Sequence, residues 1–375
     1  MHTKRKKDKV YYHQILLLIV ILRMMVGLTY LPVSKISPAN QDSWIVLLMS
    51  IPYTIIFCLP LLYLSNKFNE YNLLEVSERI MGKFFGRIIA VFYSITFFIF
   101  AAFFSSVFVE ILDSSLFRRT PTIVSVSILL VTCAYIVNKG LTNMARLVEI
   151  IVPIILLVFF ILAILAYDNY DFTVLLPILS DSTFTEINAG AINIGLRYMD
   201  ILVIAMIVPN LDVKTNVNKI FIRALIYSIF IIILASIVVQ ATFGIEYVKR
   251  INFPYFTFAR LISIGEAQGF DALYISSWIL GHIIKISAYI YFTSVALGKV
   301  ANRRNQKFTI PIAIAILIIV LLIKDRRPVV AVDEPIQQIM MTVSVSSIIV
   351  VPSIISIVYL FRKKNLKNIN KSMRQ

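Results

Sequence analysis

The sequence predicts an all-α integral membrane protein of about ten transmembrane helices. Three observations carry this reading. Apolar residues fall in continuous runs of about 20, the length that crosses a ~30 Å hydrocarbon core. Hydrophobic residues make up 59% of the chain and charged residues only 15%, with a mean hydropathy of +0.85; a soluble domain carries about a quarter charged residues. Lys and Arg crowd the tails and alternate loops, which is the positive-inside pattern. A β-barrel would need alternating segments of about ten residues, and these runs do not alternate.

Taken in order, the apolar runs between charged punctuation are 13–33, 43–65, 86–112, 121–138, 143–166, 190–211, 217–243, 270–298, 308–323 and 336–361. The first follows Lys4, Arg5, Lys6, Lys7 and Lys9, as a signal peptide would. Its apolar region is too long for one and lacks a small-x-small cleavage site, so an uncleaved helix is expected. Lys67, Arg79, Lys83 and Arg87 separate the second run from the third, and Lys139 and Arg146 the fourth from the fifth. The loop 167–189 has no Lys or Arg but holds Asp168, Asp171, Asp181 and Glu186. Within the loop 244–269, FPYFTFARLISIGE (253–266) is too apolar for solvent and is expected to pack as a short helix across the outer face. No soluble domain large enough for its own core is attached. The reading is one transmembrane domain over 1–375, with a first half at about 13–166 and a second at about 190–361. Basic cytoplasmic tails cover 1–12 and 362–375.

Orientation follows from counting charges. With the N-terminus inside, the inner segments hold 24 of the 36 Lys and Arg residues and the outer loops 9; Arg23, Arg197 and Lys285 fall inside spans. Both termini are therefore expected in the cytoplasm, which requires an even number of spans.

Composition also excludes functions. The net charge of +16 is spread over tails and loops, with no basic domain interleaved with aromatics, so nucleic-acid binding is not expected. Cys58 and Cys133 lie within spans and are expected to pack as small hydrophobes, with no disulfide framework or metal spacing. His2, His13 and His282 form no His-x-x-x-His pair, and neither a Walker phosphate loop nor a Gly-x-Ser-x-Gly elbow occurs. The chain does not read as an enzyme. No cofactor is expected, and a coupling or structural cation stays open.

Helix breakers and intramembrane polar groups remain. Gly27 sits late in the first span, in VGLTYLP (26–32), and Gly190 and Gly195 early in the sixth, in NAGAINIGLRYMD (188–200). Spans one and six are corresponding members of two five-helix halves. Interrupted helices in such positions point to a 5+5 inverted-repeat transporter core with a midplane site. A break at Gly27 would free the N–H groups of Leu28, Thr29 and Tyr30 for an anion; glycine is also a common close-packing residue in membrane helices.

Lys285 lies near the middle of span eight. Tyr274, Ser277, Gly281, Lys285 and Ala288 recur at spacings of three and four, which makes one helix face small and polar. The ammonium suits a replacement for bound sodium, a proton shuttle, or a structural partner for a carboxylate such as Asp200. Asp200 follows Arg197 by three residues, so a local ion pair and a ligand contact are both open. Arg23, one turn before Gly27, suits complementing the helix dipole, snorkelling, or pairing with Asp200. Tyr198 and Tyr289 complete the candidate ligand-binding set of Gly27, Leu28, Thr29, Tyr30, Gly195, Tyr198, Asp200, Lys285 and Tyr289. Glu110 and Asp113 are placed at the interface, and His282 as a packed core histidine.

With these residues assembled, the chain resembles the B subunits of spore germinant receptors, the endospore germination permeases of the amino acid–polyamine–organocation superfamily. FPYFTFARLISIGE (253–266), Asp271 and WILGHIIKISAYIYFTS (278–294) carry the resemblance most specifically; VGLTYLP (26–32), LLPILSD (175–181) and VPNL (208–211) add to it. The resemblance implies a LeuT-like fold with an amino-acid-sized ligand between spans one, three, six and eight. It also implies assembly with an A subunit and a lipoprotein C subunit in the inner membrane of a spore. Arg23 departs from the pattern beside the first break. Three functions follow: a germinant-sensing subunit, an autonomous amino-acid/cation symporter using the same cavity, or a scaffold with a vestigial cavity.

Overall fold

The computed structural model describes residues 9–30, 39–116, 119–211, 216–263, 270–323 and 335–372. Ten of its helical stretches are long and apolar enough to cross a membrane, and each overlaps one predicted span. The helices are α1 (Tyr12–Tyr30), α2 (Ser43–Lys67), α3 (Leu73–Met81), α4 (Lys83–Ser115), α5 (Thr122–Lys139), α6 (Leu141–Leu165), α7 (Phe184–Leu196), α8 (Leu202–Ile207), α9 (Val217–Phe243), α10 (Ile245–Arg250), α11 (Pro254–Leu261), α12 (Asp271–Ala301), α13 (Thr309–Ile323), α14 (Pro335–Val345) and α15 (Val351–Ser372). Helices dominate because hydrocarbon offers backbone groups no partners except those within the segment itself.

Burial sorts the helices by layer. α1, the α7–α8 span and α12 are the most enclosed, whereas α6, α13 and the α14–α15 span expose most of their apolar surface outward, as lipid-facing helices do. α12 packs most extensively on α4, α7 on α2, and α1 on α9. Two short helices lie off the spans. α3 is strongly amphipathic and starts with a reciprocal cap between Asn72 and Glu75, while Gly82, at φ +91°, turns the chain into α4. α11 buries Tyr255, Phe256, Phe258 and Ala259, and it packs on α1, α9 and α12 as its composition predicts. The end of FPYFTFARLISIGE, from residue 264 on, lies outside the described residues.

Two spans are irregular. The tenth carries a π-turn at Ser346–Val350, and its loosened Ser347 carbonyl accepts the Tyr93 hydroxyl at 2.9 Å. The sixth is broken: α7 ends at Leu196, a 3₁₀ turn covers Met199–Ile201, and α8 has six residues. Its entry is fixed by a reciprocal cap between Thr183 and Glu186. The first span is not broken. α1 runs helical through Gly27 to Tyr30, so the unwound segment expected there, with free N–H groups at Leu28, Thr29 and Tyr30, does not form. The reason is packing: a Cβ on Gly27 would stand 2.4 Å from Cγ1 of Ile232 on α9. Glycine there makes room for the Ile232 side chain between two packed helices.

On one side of the bundle, the start of α1 is tied down by a bridge between Val10 and Leu211 and by His13 and Gln14, both on Glu149 of α6. Lys299, near the end of α12, pairs with Glu78 of α3 on that side. At the other side, the loop before α7 docks on the start of α2. Leu179 N–H donates to Asp42, Gln41 donates to Asp181 at 3.1 Å, and Ser182 to the Ala39 carbonyl at 2.8 Å. Cys58 and Cys133 are buried and free.

Candidate functional site

The small polar stripe of α12 is the face that meets α1. The Tyr274 hydroxyl donates to the Leu28 carbonyl at 2.7 Å, and Trp278 Nε1 donates to Thr29 Oγ1 at 3.0 Å. A Cβ on Gly281 would run into the Met25 side chain, so glycine leaves room for Met25 at this approach. One turn further on, Lys285 Nζ donates to the Leu22 carbonyl.

Lys285 is fully enclosed. Its ammonium lies 3.4 Å from Asp200 Oδ1 and 4.0 Å from the Phe104 ring centroid. The Tyr289 hydroxyl donates to the same Asp200 oxygen at 2.6 Å. The Tyr289 ring stacks on Phe104, with centroids 5.7 Å apart and planes 7° from parallel. Asp200 therefore turns to α12, and Arg197 reaches elsewhere, to Asn193 Oδ1 at 2.8 Å and Gln337 Oε1 at 3.4 Å. Of the partners open in the sequence, Lys285–Asp200 is the pair that forms.

Breaking span six leaves carbonyls without intrahelical donors. Side chains from other spans take them: Ser344 donates to the Leu196 carbonyl at 2.9 Å and Arg23 Nη1 to the Arg197 carbonyl at 3.2 Å. The Arg23 guanidinium stands 5.0 Å from the centroid of the buried Tyr198 ring. Its Nε is buried with no hydrogen-bond partner.

Tyr198, Asp200, Lys285 and Tyr289 converge at this crossing, with Leu28 and Thr29 one to two turns away along α1 and held by Tyr274 and Trp278. Gly27 faces Ile232, and Gly195 faces Thr54 of α2, whose N and Oγ1 lie 3.3 Å from a Cβ built there. Both are packing positions. The break expected in span six exists but begins two residues beyond Gly195. The Tyr30 side chain lies outside the described residues. Sequence reasoning missed the aromatic wall of α4: Phe97, Phe100, Phe104 and Phe108 line one face, the first three beside Tyr289 and Phe108 stacked on Trp278. Their spacing of three and four was the available signal. His282 packs against Trp278 and near Phe108, as expected for a core histidine. Among the described residues no group of three or more His, Cys, Asp or Glu could hold a metal ion.

Residues 9–329 match a family model described as spore germination protein. The chain is 24% identical over 276 residues to spore germination protein YndE of Bacillus subtilis (strain 168), covering 71% of this chain and 73% of that protein. It is 22% identical over 325 residues to spore germination protein KB of the same organism, covering 84% and 85%. Among solved structures it is similar to Mhp1, a nucleobase-cation-symport-1 family transporter, in a closed conformation with bromovinylhydantoin bound. The TM-score is 0.60 at 14% identity, over 96% of this chain and 82% of Mhp1. That likeness establishes the fold as a LeuT-like transporter bundle.

Proposed function

Because this chain belongs to the spore germination protein family, we propose that it is the germinant-binding B subunit of a spore germinant receptor. It is a multi-pass membrane protein with a permease fold, which fits binding and conformational signalling rather than catalysis. In this reading it sits in the spore inner membrane with both termini cytoplasmic and works with an A subunit and a lipoprotein C subunit.

The observation that carries the reading is the buried Arg23–Asp200–Lys285 crossing between two enclosed helices and a broken one. Ionisable groups at this depth are costly and mark ligand or ion sites. A small germinant such as an amino acid, bound among α1, α4, the α7–α8 break and α12, shifts the bundle by preferring one of its states. Moving a population from 1:99 to 99:1 takes a preference of about 5.5 kcal/mol.

The test is complementation of a receptor-null spore with this chain and its two partner subunits, followed by germination against an amino-acid panel. A response that appears with the wild type and disappears with Asp200→Asn, at equal protein level, is expected. A response unchanged by Asp200→Asn refutes the site. The transporter likeness keeps a second reading in view, in which the chain alone moves amino acid with a cation; uptake into vesicles holding only this chain is its signature.

A further inference from the structure

Buried charge at the crossing does not balance. Two carboxylates are fully buried among the described residues, Asp42 and Asp200. Asp42 lies at the start of α2 and accepts the Leu179 N–H at 3.1 and 3.2 Å. Asp200 is already engaged by Lys285 and Tyr289. Arg23 is 5% exposed, and its described contacts supply one carbonyl and one ring face.

A guanidinium stays ionised and carries five N–H donors in a planar fork. Holding one at this depth without a counter-charge is strongly unfavourable. Its Nε–H is buried and unpartnered, so the fork keeps an unused donor. One positive charge is in excess, so one negative charge completes the site; a phosphate dianion would overshoot. A carboxylate matches the fork in charge, planarity and bidentate geometry.

We infer that Arg23 is the anion receptor of this chain and binds the carboxylate of its small-molecule ligand through the guanidinium. This rests on the sensor reading above and deepens it. It also assigns to a side chain the role that an unwound α1 would have given to backbone N–H groups, which the intact helix cannot supply. Arg23 is buried here, so binding needs the crossing to open, and the ligand selects a state in which the guanidinium can be reached.

The experiment uses the full-length chain in detergent micelles at constant ionic strength. The probes are acetate, propionate, L-alanine and L-valine beside acetamide, propionamide, L-alaninamide and L-valinamide. Thermal unfolding is followed for wild type, Arg23→Lys and Arg23→Met. At least one carboxylate should raise the wild-type unfolding temperature while its amide does not. Arg23→Met should weaken that binding about a hundredfold, the size of a lost charge-assisted bond, and Arg23→Lys should weaken it less. Without ligand, Arg23→Met should unfold at or above the wild-type temperature, because the uncompensated cation is gone.

The inference is overturned if no carboxylate protects, if an amide protects equally, or if Arg23→Met keeps the affinity. It is also overturned if ligand-free Arg23→Met is the less stable protein or fails to fold, since Arg23 is then structural. The sensor reading fails separately. Spores that germinate through this chain on an amide alone keep the sensor and sink the carboxylate. Arg23-dependent carboxylate binding without any effect on germination does the reverse.

Discussion

Replacing Lys285 with Met removes the ammonium and keeps a flexible side chain of comparable length. Three contacts go with the charge: Asp200 at 3.4 Å, the Leu22 carbonyl, and the Phe104 ring face at 4.0 Å. Asp200 then keeps the Tyr289 hydroxyl but lies 3% exposed without its cation. Breaking one side of a buried ion pair costs about 3–5 kcal/mol, so Lys285→Met should lose that much stability. Asp200→Asn should lose about 2–4 kcal/mol, because the ammonium is then the stranded group but retains the Leu22 carbonyl. The double variant leaves neither charge stranded and should be more stable than the sum of the two losses by at least about 2 kcal/mol. SDS-driven unfolding from mixed micelles reads this out through Trp278, which stacks beside the site, in a Trp44→Phe background. Losses that add to within about 0.5 kcal/mol would mean that the two groups do not feel each other, and the site as described would be wrong.

Tyr289→Phe removes one hydrogen bond to a charged acceptor and should cost about 1.5–3 kcal/mol in the same assay; an unchanged midpoint would show that the hydroxyl does not serve Asp200. Gly27→Ala should destabilise by about 1–3 kcal/mol through overpacking against Ile232, and Ile232→Ala should restore most of it; absence of rescue would put the crowding elsewhere. Single cysteines introduced at Asp168 and at Arg374, in a chain whose native Cys58 and Cys133 are buried, should label from opposite sides of an oriented vesicle. Labelling from one side contradicts the charge-based topology.

The spans were legible because hydrocarbon enforces them: about 20 apolar residues between charges leave few alternatives to a crossing helix. Lys285 and Asp200 were legible for a related reason, since a charge at that depth needs a partner or a function. Their pairing was not. Arg197 is near Asp200 in sequence, but the turn at Met199–Ile201 swings the carboxylate to α12, and only the three-dimensional path reveals that. Gly27 misled because a glycine that permits close packing and one that permits unwinding look alike in sequence. Ile232, 205 residues further along the chain, decides between them. The aromatic wall of α4 went unread because phenylalanine is common in every span; 26 occur in the chain.

The seam between α1 and α12 has a mechanical corollary. It is closed at Leu28, Thr29, Met25 and Leu22 by four α12 residues on successive turns, three of them through hydrogen bonds. Two rods riveted at that many levels travel as one body. Whatever tilts the upper part of α1 must also swing its foot, where His13 grips Glu149, and the foot of α12 on the same side, where Lys299 grips Glu78. A single rocking motion therefore tugs on two side-chain contacts at once, anchored on α6 and on α3. Any surface seated on either anchor would receive the same stroke at the same moment, without a separate relay running through the bundle.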